Sequence, residues 1–389
     1  MERKRIARLV REGFLSEPLF QGFTDIRKNP QIRLRTILTS LFLMPFFGLK
    51  SLLSNDRESR TERYKGLFGC LRKMVASDST FARVLRWLRP EETEAFLLSF
   101  MAKFERHDLL RKCLSIGGRP RRLGILDGSY MGGHWLVTLC LAGAIAYPVL
   151  VRRCLKHGEE LEVARQLMRE APAILGEQRP ELWLLDVLYF NQGTIKIARG
   201  QQSHVLFKFK KAELREVTKD AQNLFEHFGG DEEDSGWDIE RECQWTMRKT
   251  VDRFGGYRVQ VVELREVYPK RKKDRVVTCW IVTTDLDLPL EELREAAHQR
   301  WQIENNVFKR LSHLSGTKRF YFRDHRQFFN LLYLFCAAVA VLDCIIVLLK
   351  AHKRLFAALR AGIKGTWRNV CSQIREVLYE LPCAFGRIA

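Results

Sequence analysis

The spacing of apolar residues changes near residue 120. Before it, in "RTILTSLFLM", "TFARVLRWL" and "TEAFLLSFMAKF", they recur at three and four positions, which predicts a helical region over residues 1–115. "SDSTFARVLRWLRP" opens with N-cap residues and closes on a proline that stops a helix. After residue 120 the runs shorten. "RLGILDGSY", "HWLVTLCLAGA" and "AYPVLVRRC" read as three strands, the first finishing on Asp127-Gly128. "GEELEVARQLMREAPAIL" has helical spacing with glutamates near its start, where the macrodipole favours them. "PELWLLDVLYF" is a buried strand ended by Asp186, "NQGTIKIARG" a short helix, and "HVLFKFK" a fifth strand. The order β-β-β-α-β-α-β over 116–212 predicts an α/β core with a mixed sheet.

Residues 213–287 interrupt that core. "FGGDEEDSG" reads as an acidic loop, and "ECQWTMRKTV", "YRVQVVELREVY" and "RVVTCWIVTTD" as strands of an antiparallel insertion. "YPKRKKDR" makes a basic hairpin tip over 269–275. Residues 288–350 return to the core with the helix "LPLEELREAAHQRWQIENNVFKRL" and a long apolar helix, and 351–389 form a basic helical tail. No internal repeat and no low-complexity tract occurs.

The helix over 298–311 carries an anomaly. Wound at about 100° per residue, it gathers Ala297, Trp301, Ile303, Val307, Phe308 and Leu311 on one side. His298, Gln302, Asn305, Lys309 and Ser312 take the other. Arg300 and Glu304, one turn apart, fall inside the apolar stripe. Two readings are open. The two residues form a buried ion pair, which desolvation makes costly, or their face looks into a cleft where the carboxylate meets a cation.

Two apolar stretches raise a membrane reading. "FFNLLYLFCAAVAVLDCIIVLL" (328–349) is long enough to span a bilayer. Asn330 and Asp343 interrupt it, and a mid-span Asp costs about 2.5–3.5 kcal/mol on insertion scales. "ILTSLFLMPFFGLKSLL" (37–53) holds Pro45 and Lys50. Both are predicted to be core helices, and no membrane partner is expected. "MERKRIARLVREGF" has charges where a secretory leader would be apolar.

The 389 residues carry 66 Lys and Arg against 46 Asp and Glu, a formal charge of +20, which points to a polyanionic partner. The charge is spread along the chain, favouring a folded basic surface over a disordered arm. The basic N-terminal helices are either a DNA-contacting domain or a passive one. Ten cysteines show no CxxC and no zinc spacing with histidine, which predicts reduced, buried thiols and a cytoplasmic protein. Trp237 and Trp245 read first as insertion core, and second as stacking surfaces for a displaced base.

The candidate chemistry lies in the acids. With the first and fourth strands side by side and parallel, Asp127 and Asp186 come together at one sheet edge, and Glu304 joins them from a helix laid on the sheet. Taken singly, Asp127 before Gly is also an ordinary turn residue. Asp186 in an apolar strand needs a partner. Three converging carboxylates need positive charge, and Mg²⁺ or Mn²⁺ suits all-oxygen ligands. Two such ions about 3.5–4 Å apart can clamp the attacking and leaving oxygens of a phosphodiester.

"LGILDGSY", "ELWLLDVLYFN" and "QRWQIENNVFKRL" resemble the DDE transposases of bacterial insertion sequences, in particular the insertion-sequence family four branch, which carries a β-strand insertion between the second Asp and the Glu. The resemblance covers nearly the whole chain, including "FTDIRKNPQIRLRTIL" and the apolar helix after the Glu. It implies an RNase H-like core and Asp127, Asp186 and Glu304 as the catalytic, metal-binding triad with two Mg²⁺ (or Mn²⁺) ions. It implies cut-and-paste movement of a DNA element in a bacterial cytoplasm, at the nucleoid. The implied partners are double-stranded DNA, as terminal inverted repeats and target, and a second copy of the chain on DNA. Arg300 matches the family's phosphate-gripping arginine. The branch's Tyr seven residues before the Glu and Lys seven after are Ala297 and Leu311 here, so Lys309 and Arg310 stand as the remaining phosphate candidates. Two other expectations share these residues: a non-cleaving, domesticated DNA-binding protein, and an RNase H-like nuclease without strand transfer.

Overall fold

The computed structural model describes residues 17–67, 76–106, 108–110, 112–113, 120–210, 213–269, 274–317, 322, 324–351 and 375–376. The basic tail expected over 351–389 lies almost wholly outside the described residues, as do 270–273 of the hairpin tip.

The N-terminal region is helical: α1 (Leu34–Phe47), α2 (Leu52–Ser59), α3 (Glu62–Leu67), α4 (Asp78–Trp87), α5 (Pro90–Leu98) and α6 (Met101–Glu105). α1 has one charged residue, Arg35, and every other position in it is buried, as a core helix requires. It ends at Gly48, whose φ of 64° supplies the left-handed cap an L side chain resists. Ser51 and Ser54 form a capping box on α2, and the Ser77 hydroxyl accepts from Thr80 N–H to open α4. The stretch 37–53 is therefore a bent helix pair, turning by 102°. Ring contacts through Phe20, Phe96, Phe100, Phe104 and Tyr147 carry this core onto the sheet.

The sheet begins with β1 (Leu123–Met131), β2 (His134–Ala142) and β3 (Ala146–Cys154), followed by α7 (Glu160–Leu175), β4 (Leu182–Asp186), α8 (Gln192–Gly200) and β5 (His204–Phe209). Its order is β3-β2-β1-β4-β5. The first three strands are antiparallel, and β4 and β5 run parallel to β1. This is the RNase H-like arrangement, a mixed α/β sheet with helical flanks.

After α9 (Arg215–Phe228), strands β6 (Glu232–Asp238), β7 (Cys243–Phe254), β8 (Tyr257–Tyr268) and β9 (Arg275–Thr283) do not form a separate sheet. β9 pairs antiparallel with β5, and β8, β7 and β6 follow outward, making nine strands. Part of the stretch expected as an acidic loop is strand β6. Its Glu232 and Glu233 lie opposite Lys249 and Arg248 of β7, and cross-strand charge pairing overrides a composition that disfavours strands. Trp245 is buried, as expected of core, while Trp237 is exposed.

The predicted single helix over 288–311 is broken. α10 (Leu290–Gln299) gives way at Arg300 to a π-helical turn, Ile303–Phe308, before α11 (Lys309–Ser315). The wide turn is visible in Lys309 N–H bonding the carbonyl of Glu304, five residues back. The break rolls Trp301 out of the apolar stripe to 45% exposure, and its ring lies 4.5 Å from Lys208 Nζ. His298, placed on the polar face by ideal winding, is buried with Nε2 2.8 Å from Glu266 Oε1. Arg294 donates to the same Glu266 oxygen and to Asp238, fastening α10 to β8 and β6. Burial alone would raise the Glu266 carboxyl, but the His298 and Arg294 hydrogen bonds hold it down at about 2.

α12 (His325–Ala351) packs on α1, α4, α5 and β3. It is long and apolar enough to cross a membrane, and 94% of its most apolar stretch is buried inside the protein. Its buried polar residues Gln327, Asn330 and Asp343 have protein partners. Asp343 pairs with Arg310. Asn330 donates to the Leu85 and Leu88 carbonyls at 2.8 and 3.0 Å and accepts from Thr93 Oγ1 at 2.8 Å. Asn330→Leu would strand these buried groups, each worth about 1–3 kcal/mol when unpaired. The expected result is a folded but weaker protein, about 2–4 kcal/mol less stable in urea denaturation; an unchanged midpoint would show that the three bonds do not hold α4 and α5 to α12.

Candidate active site

β1 and β4 pair in parallel through Leu123↔Leu182, Gly124↔Trp183 and Ile125↔Leu184. Extending that register by two brings Asp127 level with Asp186, both on the face of Ile125 and Leu184. Asp186 ends its strand as expected. Asp127 does not end β1; it sits mid-strand, paired with Thr138 of β2. Gly128 is there for close approach rather than for a turn, since a Cβ at that position would strike the Glu160 carboxylate.

Each aspartate is pinned in the same way. Asp127 Oδ1 accepts the Gly128 N–H at 3.0 Å, and Asp186 Oδ1 accepts the Val187 N–H at 2.7 Å. The other oxygen of each, Oδ2, faces Arg300. The distances are 4.0 Å from Asp127 to Nη1 and 3.9 Å from Asp186 to Nη2. Glu304, on the π turn, brings Oε1 to 4.0 Å from Nη2. One guanidinium thus lies about 4 Å from all three carboxylates, and its planar width limits any pair of those oxygens to a separation of about 10 Å. Arg300 and Glu304 are not a closed ion pair: Arg300 is buried, while the Glu304 side chain is half exposed beside a cleft of about 540 Å³. Asp127, Gly128 and Ser129 line one wall of that cleft, and Phe308, Lys309 and His313 the other.

The remaining phosphate candidates separate. Lys309 is exposed on the cleft wall, with its ammonium donating to Asn305. Arg310 is turned away, paired with Asp343 and donating to Asn306. Its guanidinium neutralises the one acid of the apolar helix, which takes it out of the cleft.

Burial pushes the Asp127 carboxyl up to about 7; Arg300 opposes this, and Glu304 and Asp186 add to it. Three neighbours, Tyr189, Glu160 and Lys208, are not singled out by the sequence pattern. Tyr189 Oη donates to Glu160 Oε1 at 2.5 Å behind Gly128, and burial raises the Tyr189 hydroxyl, helped by Glu160, Asp127 and Asp186. Lys208 of β5 lies in register with Asp186, and burial lowers its ammonium. Only Tyr189, a tyrosine three residues after a strand-ending aspartate, offered a hint.

As the side chains stand, no three acidic, histidine or cysteine groups among the described residues are close enough to wrap a metal ion. At this site the guanidinium occupies the middle. The donor set fits a hard divalent cation in kind: three carboxylates, two with one oxygen held by backbone and one facing inward. Arg300 Nε and Nη1 are also buried with no hydrogen-bond partner, a sign that the pocket's polar demands are not met by protein alone.

No protein-family model and no curated protein matches the sequence. Among solved structures, the chain is similar to the piggyBac transposase in a cryo-EM structure of its synaptic complex with hairpin DNA, at 12% identity and a TM-score of 0.45, over 97% of this chain and 80% of that one.

The raised Asp127 carboxyl has a consequence for pH. The unfolded chain releases this proton near 3.8, whereas the fold holds it to about 7. Between those values the folded state binds more protons, so stability from this group falls as pH rises from about 4 to 7. Without divalent ions, Asp127→Asn should therefore gain stability over the wild type at pH 8 and lose that advantage below pH 4. Urea denaturation at both pH values checks this, and a difference that does not vary with pH would contradict the burial argument.

Proposed function

We propose that this protein is a DNA transposase of the DDE type, cleaving and joining DNA with Asp127, Asp186 and Glu304 as ligands of Mg²⁺ or Mn²⁺. The observation that carries the reading is the convergence of those three carboxylates from β1, the end of β4 and the π turn around one cation, on an RNase H-like sheet. The charge of +20 supports a polyanionic substrate. Bound there, one or two divalent ions would supply an activated water and stabilise a leaving oxygen.

The chain's own residues do the rest. The backbone N–H groups of Gly128 and Val187 fix the two aspartates, so ligand geometry is set by strand register rather than by a loop. Glu304 completes the set from a half-exposed position at the cleft, where a DNA strand can enter. Lys309 offers a charge to backbone phosphate on the far wall, and Arg300 offers a bidentate fork. A 3′-hydroxyl freed by cleavage stays in the same cleft and attacks target DNA in its turn. The substrate ends are inverted repeats, and two copies of the chain hold two ends together.

A linear duplex carrying the repeats that flank the gene, mixed with a target plasmid and Mg²⁺, tests the proposal. The wild type should nick the repeat ends and yield joined product. Asp186→Ala and Glu304→Gln should each slow cleavage about a hundredfold or more, equivalent to several kcal/mol of transition-state stabilisation. Both variants should still bind DNA, with affinity falling steeply as salt rises. Cleavage without joined strands would reduce the protein to a nuclease, and binding with no cleavage at all would remove the enzyme.

A further inference from the structure

Arg300 is unlike the other buried arginine of its helix. Arg294 is held at 2.6–2.9 Å by Glu266 and Asp238, in ordinary charge-assisted hydrogen bonds. Arg300 is just as buried, yet it reaches no carboxylate closer than 3.9 Å, and its Nε and Nη1 have no hydrogen-bond partner. It neutralises three acids without being bound to any of them. The inward aspartate oxygens are fixed by the backbone, whereas the guanidinium ends a flexible stem. It also leaves the chain where α10 stops and the π turn begins, one turn before Glu304, which lines the cleft.

We propose that Arg300 is a resident cation of the metal site: its guanidinium fills the centre between Asp127, Asp186 and Glu304 and exchanges with an incoming divalent ion. This rests on the metal reading above. The reason is electrostatic. Three carboxylates in a mostly buried pocket require a cation, and the guanidinium provides it while the site waits. A divalent ion in the same centre would need the space the guanidinium already fills, and two like charges there repel strongly. Both cannot stay. The displaced guanidinium moves toward the cleft, where a DNA phosphate can take it. Metal entry and phosphate capture are then two halves of one exchange, and by linkage each favours the other.

The exchange makes a prediction of unusual sign. If Arg300 were only structural, removing it would loosen the carboxylates and weaken metal binding. If it is the resident cation, removing it abolishes a competitor and tightens binding. The experiment is a titration of the full chain with manganese chloride alone, free Mn²⁺ being counted by electron paramagnetic resonance and folding by circular dichroism. Arg300→Gln should bind Mn²⁺ about tenfold or more tightly than the wild type. Arg300→Lys, whose compact ammonium lacks the planar fork needed to span three carboxylates, should bind about threefold more tightly and decides the matter if Arg300→Gln does not fold. Asp186→Ala should lose the site. A folded arginine variant with affinity equal to or below the wild type overturns the exchange while leaving the metal site standing. Undiminished Mn²⁺ binding by Asp186→Ala removes the metal reading itself, and the exchange with it.

Discussion

Three carboxylates brought together at the edge of a sheet, one of them mostly buried, must be balanced by positive charge, and most of the site's features follow from this. A guanidinium–carboxylate contact near 4 Å is worth at most about 4 kcal/mol at an effective dielectric of 20, and much less where the carboxylate is exposed, while the carboxylates repel one another over longer distances and so more weakly. Arg300 therefore offsets the repulsion it sits among, most at Asp127 and less at Asp186 and Glu304, where solvent screens the contacts. The balance is incomplete at Asp127, the most buried acid of the three, whose carboxyl is pushed up to about 7.

The fold meets this constraint with rigid parts. Only three residue pairs join β1 to β4 before the two aspartates, and the strands are buried apolar runs up to that point. Register alone therefore sets Asp127 against Asp186. The third acid comes from the least regular part of the core, a π turn between two helices, and π turns often mark functional positions. α10 is fastened to the added strands by Arg294, Glu266 and Asp238, so the nine-stranded sheet also fixes where Arg300 emerges.

Much of this was legible in the sequence, because it depends on local pattern. The strand and helix order of the core follows from apolar spacing, and Asp186 is conspicuous at the end of a buried strand. The placement of Arg300 and Glu304 in an apolar stripe marked the position as unusual but left a buried ion pair and an open cleft equally possible, and the half-exposed Glu304 decides for the cleft. What was not legible depends on contacts distant in sequence. Asp127-Gly128 looked like a turn because nothing local shows Glu160 pressing on Gly128. Ideal winding could not reveal the break after Gln299, so Trp301 and His298 were assigned to the wrong sides. Arg310 resembled a phosphate ligand until Asp343, one turn from the end of another helix's buried stretch, was seen to claim it. The acidic β6 looked like a loop because its pairing partners are Lys249 and Arg248 on the next strand.

The most direct test of the central claim is anomalous diffraction from crystals of the protein equilibrated with Mn²⁺ near pH 8, above the Asp127 titration. The account predicts a manganese peak within about 2.1 Å of oxygens from Asp127, Asp186 and Glu304, with the Arg300 guanidinium withdrawn from the centre. Manganese bound elsewhere, with Arg300 still among the three carboxylates at saturating Mn²⁺, would contradict it.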